Sequence, residues 1–173
     1  MSKTEIAKRY NIDPSMIEFE INETDIVNIK DKVIQNMNIF AQNGFRVALD
    51  NYGNRESTIY NLLDFPLSSL KLDMQLIWNY SESEIQRAVS QTIIKIAHNL
   101  NIQIVAEGVE TVNQLEDMMK QNVDFIQGFY FFVPMDTNDY KQFLRPTAFE
   151  VGGENVTAMD KINSIRSINR HKN

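Results

Sequence analysis

Several apolar runs in this chain end in residues that can do ionic chemistry. The plainest is "IVAEGVET" (Ile104–Thr111), where a strand-like run stops at Glu107 and Glu110 with a glycine between them. Similar placements hold for Glu20 and Glu23, Asp50 and Asn51, Lys71 and Asp73, and finally Gln127. From Glu20 to Asp50 is 30 positions, then 21 to Lys71, 36 to Glu107 and 20 to Gln127. Those intervals scatter around the roughly 31 residues per unit of a (βα)8 barrel, whose site is built where the C-terminal strand ends converge. Carboxylates, one lysine and amides gathered there suit Mg²⁺ or Mn²⁺, which prefer oxygen ligands, and a charge-assisted reaction at phosphate. Carboxylates at strand ends also cap the helices that follow, and periodicity leaves both readings open.

The elements that must position these residues alternate. A short N-terminal helix precedes "NIDPSM", where Asp13 can cap a turn beginning at Pro14. Strands are expected at Met16–Ile21, Phe45–Asp50, Ser68–Asp73, "IQIVAE" and the region "DFIQGFYFF". A helix from about Asp25 to Gln42 places Val33, Ile34, Met37, Phe40 and Ala41 on one stripe. The longest helix starts from a Ser81–Glu84 capping box and runs to Leu100, with Ile85, Ala88, Val89, Thr92, Ile93, Ile96 and Ala97 at helical spacing. Thr111 and Gln114 offer a further N-cap pattern for a helix to about Lys120, and another helix covers about Thr137–Leu144. Such alternation predicts an α/β fold with a mainly parallel sheet. Residues 1–147 form the predicted domain, and 148–173 a polar tail with room for one helix. "GFYFFV" (Gly128–Val133) reads as core and barrel closure, His98 as solvated, and His171 as part of the tail.

Composition narrows the partners. The 173 residues carry a net charge of −6, which excludes diffuse binding to nucleic acid or anionic membranes. Cysteine is absent, so disulfides, thiol catalysis and cysteine-bound zinc are ruled out, in keeping with a cytoplasmic location. No apolar run approaches the ~20 residues of a membrane span, and the N-terminus lacks a signal peptide's apolar core.

"FEINET", "FRVALDNYG", "LSSLKLD", "IVAEGVET" and "FIQGFYFFVPM" follow one another in the order and spacing of the EAL domain, the cyclic di-GMP phosphodiesterase family. The resemblance runs from about Ser2 to Arg145. It implies a TIM-like barrel whose strand tips hold a pair of Mg²⁺ or Mn²⁺ ions and open one phosphodiester of cyclic di-GMP. Carried over residue by residue, it implies metal binding for Glu20, Asp50 and Glu107, with Glu107 working at the metal–water centre. Lys71 is similar to the lysine that steadies the attacking water and phosphate, and Gln127 to the glutamine that holds that water. Glu23 resembles the glutamate that anchors the loop after the next strand; Asp73 and Glu110 resemble supporting residues.

Two departures shape the expectation. The Glu-Ala-Leu motif and the strand bearing a metal-binding asparagine lie upstream of this sequence, so a partial barrel lacking its first strands is expected. Such a sheet exposes edges, which favours a homo-oligomer or a partner chain that completes the barrel. Asn51 replaces the second aspartate of the family's D-D-F-G motif, and Asn54, Arg55 and Glu56 replace a small flexible loop. An amide offers a metal one oxygen but no charge, which weakens the site. The expected function is an EAL-type phosphodiesterase-like domain, impaired or inactive on its own, holding a divalent ion only if the site is competent. The alternative is a non-catalytic module that binds cyclic di-GMP or a protein.

Overall fold

A computed structural model describes residues 3–22, 26, 30–53, 57–80, 83–143, 149–151 and 154–156. The chain divides into two compact units, Met1–Gly128 and Phe129–Asn173.

The first unit is built on a five-stranded parallel sheet in sequential order: β1 (Glu18–Asn22), β2 (Arg46–Tyr52), β3 (Ser69–Leu72), β4 (Gln103–Ala106) and β5 (Phe125–Ile126). Helices fall between them: α1 (Lys3–Arg9) before β1, α2 (Lys30–Gln42), α3 (Ile59–Asp64), α4 (Met74–Trp78), α5 (Glu84–Asn99) and α6 (Val112–Lys120). A single 3-10 turn, Pro14–Met16, leads into β1, and Asp13 caps it by accepting a hydrogen bond from Ser15 N, as its sequence pattern predicts. Sequential parallel strands joined by helices form the wall of a (βα) barrel, here a partial one.

Strand alternation gives this wall two different faces. Register places Val47, Leu49, Leu70, Leu72, Ile104 and Ala106 on one side, all completely buried. Phe19 stacks on Phe40 of α2 with ring centroids 4.2 Å apart, and Phe45 meets Phe19 edge-on at 5.3 Å. Met37 and Met118 complete this core from α2 and α6. The opposite face carries Glu18, Glu20, Arg46, Asp50, Ser69, Lys71 and Gln103.

Two expectations about helices change. α5 is capped by Ser83, whose hydroxyl accepts from Gln86 N, not by Ser81, which lies outside the described residues. It buries Ser90, Ile93, Ile94 and Ala97, an i, i+3, i+4, i+7 stripe. Ile85 and Val89, placed on the apolar stripe by spacing, are 77% and 46% exposed. α5 carries more apolar positions than one sheet face can cover, and burial selects among them. The Thr111–Gln114 capping box is present in full at the start of α6.

The last strand also ends early. β5 is two residues long, and Gly128 sits so close to Val109 that a Cβ there would lie 2.0 Å from the Val109 carbonyl oxygen. The chain then turns, so "GFYFFV" does not continue the strand. In the second unit Phe129, Phe132 and Val133 are 60%, 39% and 59% exposed, which corrects their assignment to the core. This unit also holds α7 (Thr137–Phe143) and an antiparallel pair, β6 (Phe149–Val151) with β7 (Glu154–Val156). A helix in the remainder of the tail would fall outside the described residues.

Candidate active site at the C-terminal strand ends

Parallel strands bring their C-terminal ends to one rim, and three of them deliver carboxylates there. Glu20 lies on β1, Asp50 on β2, and Glu107 follows β4; Lys71 stands between them on β3. The Lys71 ammonium is 3.0 Å from Glu20 Oε2, 3.0 Å from Asp50 Oδ1 and 2.9 Å from Glu107 Oε1. Exposure is graded: Lys71 is 8% exposed, Glu107 15%, Asp50 21% and Glu20 50%. The cluster opens outward over Glu20.

Charge and burial oppose each other here. Burial, the largest influence on Lys71, favours its neutral form, but hydrogen bonds to Glu107, Glu20 and Asp50 outweigh it and hold its pKa above that of an ordinary lysine. Glu107 is raised above the usual glutamate value, first by burial and further by the charges of Asp50 and Glu20, against the pull of Lys71. With three carboxylates against one ammonium the site has surplus negative charge and attracts a cation.

Asp50 and Asn51 occupy a local irregularity. The register of β2 against β3 shifts between Leu49 and Tyr52, a bulge that re-aims the side chains there. Asn51 adopts φ = 56°, a left-handed conformation that asparagine enters more readily than most residues. Its amide donates to Asp50 Oδ2 at 3.1 Å. Asp50 Oδ1 faces the Lys71 ammonium at 3.0 Å, so both oxygens of this carboxylate have a partner.

The donor set therefore fits a hard divalent cation, since all its members are carboxylate oxygens. Among the described residues, however, no three acidic or imidazole groups stand ready to enclose a metal by themselves, because the Lys71 ammonium holds their point of convergence.

The other predicted residues fall around this centre. Gln127 follows β5; its N–H donates to Ala106 O and its carbonyl accepts from Val109 N, but its side chain is exposed and outside the ionic cluster. Asp73 caps α4, accepting from Gln75 N at 2.7 Å. Glu110 is exposed, and its N–H donates to Gln114 Oε1. Glu23 lies outside the described residues.

Three features escaped the sequence reading. His98 is not simply solvated: its Nε2 lies 3.0 Å from Asp124 Oδ2, the oxygen that also accepts Ile104 N. Trp78 donates its indole N–H to Gly108 O at 2.8 Å. Glu18 accepts from Arg46 at 3.1 Å and from Ser69 at 2.7 Å, while Arg46 also donates to Gln103 at 2.6 Å. The signal for Glu18 was available, since a residue two before Glu20 on a strand shares its face.

Sequential parallel strands with an ionic centre at their C-terminal rim define a protein of the TIM-barrel-like α/β class, the rim being where such barrels build their active sites. The chain belongs to the EAL domain family, which matches residues 2–134. It is 30% identical over 139 residues to the signaling protein YkoW of Bacillus subtilis (strain 168), covering 79% of this chain and 17% of that protein. It is 32% identical over 116 residues to the probable cyclic di-GMP phosphodiesterase PdeG of Escherichia coli (strain K12), covering 67% of this chain and 23% of PdeG. The chain thus spans about a fifth of the length of these relatives. Among solved structures, the PaMucR phosphodiesterase in complex with c-di-GMP superposes with a TM-score of 0.72 at 26% identity, over 79% of this chain and 55% of that one. A standalone EAL protein from Vibrio cholerae O395, in its c-di-GMP-bound form, superposes with a TM-score of 0.67 at 31% identity, over 73% and 53%. Among the described residues no helix is long and apolar enough to cross a membrane.

Proposed function

We propose that this chain is a cyclic di-GMP phosphodiesterase-like domain whose catalysis is impaired when it acts alone, and whose role is regulatory. The observation that carries this reading is the state of the Asp50–Asn51 pair. Where a second carboxylate would stand, the Asn51 amide donates to Asp50 Oδ2 while the Lys71 ammonium holds Oδ1, so a metal must displace a partner to reach either oxygen.

Under this reading Glu20, Asp50 and Glu107 would hold Mg²⁺ or Mn²⁺. When bound, the ion supplies positive charge at the phosphate and makes a water molecule more acidic. Lys71 concentrates positive charge at the point where the carboxylates meet, and a carboxylate turning to the ion would free one of its N–H donors for an anionic phosphate. Glu107, buried beside Asp50 and Glu20, adds negative charge where a cation would be drawn in. The exposed Gln127 side chain is free to close on a bound ligand from the β5 side.

The test is calorimetric titration of the purified chain with cyclic di-GMP, with and without Mn²⁺, followed by assay of the same samples for the linear dinucleotide. Binding with little or no product is the expected result. Efficient product formation by the chain alone would overturn the impairment. Absence of both binding and product would remove the cyclic dinucleotide from the account and leave a protein-interaction module.

A further inference from the structure

The residues around Glu107 are held from four directions. Glu107 N donates to Leu72 O on β3, Val109 N donates to Gln127 O after β5, and Glu110 N donates to Gln114 on α6. The fourth contact is the indole of Trp78 on the Gly108 carbonyl, and it alone comes from α4. Gly108 has φ = +70°, and a Cβ there would lie 2.6 Å from Met74 Cβ, so α4 sits directly against the glycine.

The connection closes on itself. Lys71 and Glu107 are partners at 2.9 Å. From Lys71 the chain runs through Leu72 to Asp73, which starts α4 by capping it, and α4 ends at Trp78, which grips the residue after Glu107. The five-residue helix α4 is thus a bracket between the two most buried members of the cluster. Trp78 is 41% exposed, too open for a core anchor, so its burial does not account for a bonded indole at this position.

We propose that Trp78 is a positioning residue for Glu107, acting through the Gly108 carbonyl and fixing the Lys71–Glu107 pair that the cation and phosphate meet. This rests on the phosphodiesterase-like reading only for what the site binds; the bracket itself can be tested without any ligand.

Trp78→Phe keeps an aromatic ring and removes the N–H. Calorimetric titration with Mn²⁺ should show binding weakened about three- to tenfold, the effect of one lost hydrogen bond, with the melting temperature within about 2 °C of the parent. Packing alone would be preserved by Phe, so unchanged Mn²⁺ binding in this variant would overturn the proposal. A second measurement uses the parent chain, which has a single tryptophan and so a single indole N–H resonance. That proton should exchange with D2O at least about tenfold more slowly than in free tryptophan, and its resonance should move on Glu107→Gln. Exchange at the free rate, or a resonance indifferent to Glu107→Gln, would overturn the bracket. If the parent chain binds no Mn²⁺, the functional reading fails at that step, and the indole exchange and its response to Glu107→Gln decide the bracket alone.

Discussion

One face of the sheet carries two polar clusters, one at each end of the strands, and they are built on opposite principles. At the N-terminal end Arg46 meets one carboxylate, Glu18, and one neutral partner, Gln103, while the Ser69 hydroxyl donates to Glu18. One positive and one negative charge cancel, and each has hydrogen bonds within the cluster. At the C-terminal end Lys71 meets three carboxylates, leaving surplus negative charge and a glutamate with a raised pKa. A balanced, satisfied cluster specifies packing and asks nothing of solvent. An unbalanced one retains a capacity to bind, and this difference separates site from scaffold within one set of strands.

The largest effect should come from breaking the unbalanced cluster at its centre. Lys71→Met leaves three carboxylates facing one another around a buried apolar side chain, and removal of one partner from such a pairing costs about 3 kcal/mol or more. The melting temperature should fall by several degrees, and Mn²⁺ should restore more of it in Lys71→Met than in the parent, because an added cation replaces the lost charge. A variant as stable as the parent would mean that Lys71 does not hold the carboxylates together.

The same cluster sets a pH dependence. Lys71 has a pKa raised by folding, so its contribution is fully present below the unfolded lysine value of about 10.4 and is lost as pH climbs from there through the folded value. In that window the unfolded chain releases the proton while the folded one keeps it, so stability falls as pH rises. Denaturant unfolding at stepped alkaline pH should show this slope in the parent and a shallower one in Glu107→Gln, which removes the negative charge of the partner that most raises Lys71. Equal slopes would sever Glu107 from the titration of Lys71.

Arg46→Met addresses the balanced cluster. It leaves Glu18 with the Ser69 hydroxyl and Gln103 without its donor, a loss of about 1–2 kcal/mol. Its value lies in what should not change: affinity for Mn²⁺ should stay that of the parent, since Arg46 sits two strand positions before Ala48 and away from the rim. A loss of metal binding in step with stability would show that the two clusters form one electrostatic unit.

Much of the site was legible because strand-end chemistry leaves a local mark. Glu20, Asp50, Lys71 and Glu107 each stand near the end of a strand-like run, and the structure brings all four together. Caps were legible for the same reason, as Asp13 and the Thr111–Gln114 box show. Contacts between distant segments were not. Nothing near Trp78 in sequence points to Gly108, 30 residues away, and nothing near His98 points to Asp124. The buried face of α5 was misjudged because its apolar residues exceed one stripe, and only packing decides which of them the sheet covers. The aromatic run after Gly128 has strong strand propensity, yet close approach to the Val109 backbone ends β5 before it.

The smallest expected effect is also the most informative about catalysis. Asn51→Asp restores a second carboxylate at the bulge. Aspartate tolerates the left-handed conformation at φ = 56°, so the backbone need not move. The variant loses the amide donor to Asp50 Oδ2 and sets like charges side by side, so without metal it should be less stable than the parent by about 1 kcal/mol. With Mn²⁺ the sign should reverse, because the new carboxylate adds charge to an oxygen donor set and frees Asp50 Oδ2 from its amide. Affinity should rise by about tenfold, equivalent to about 1.4 kcal/mol. If stability falls without metal and Mn²⁺ affinity does not rise, Asn51 serves only to satisfy the bulge, and the proposed impairment loses its basis in this residue.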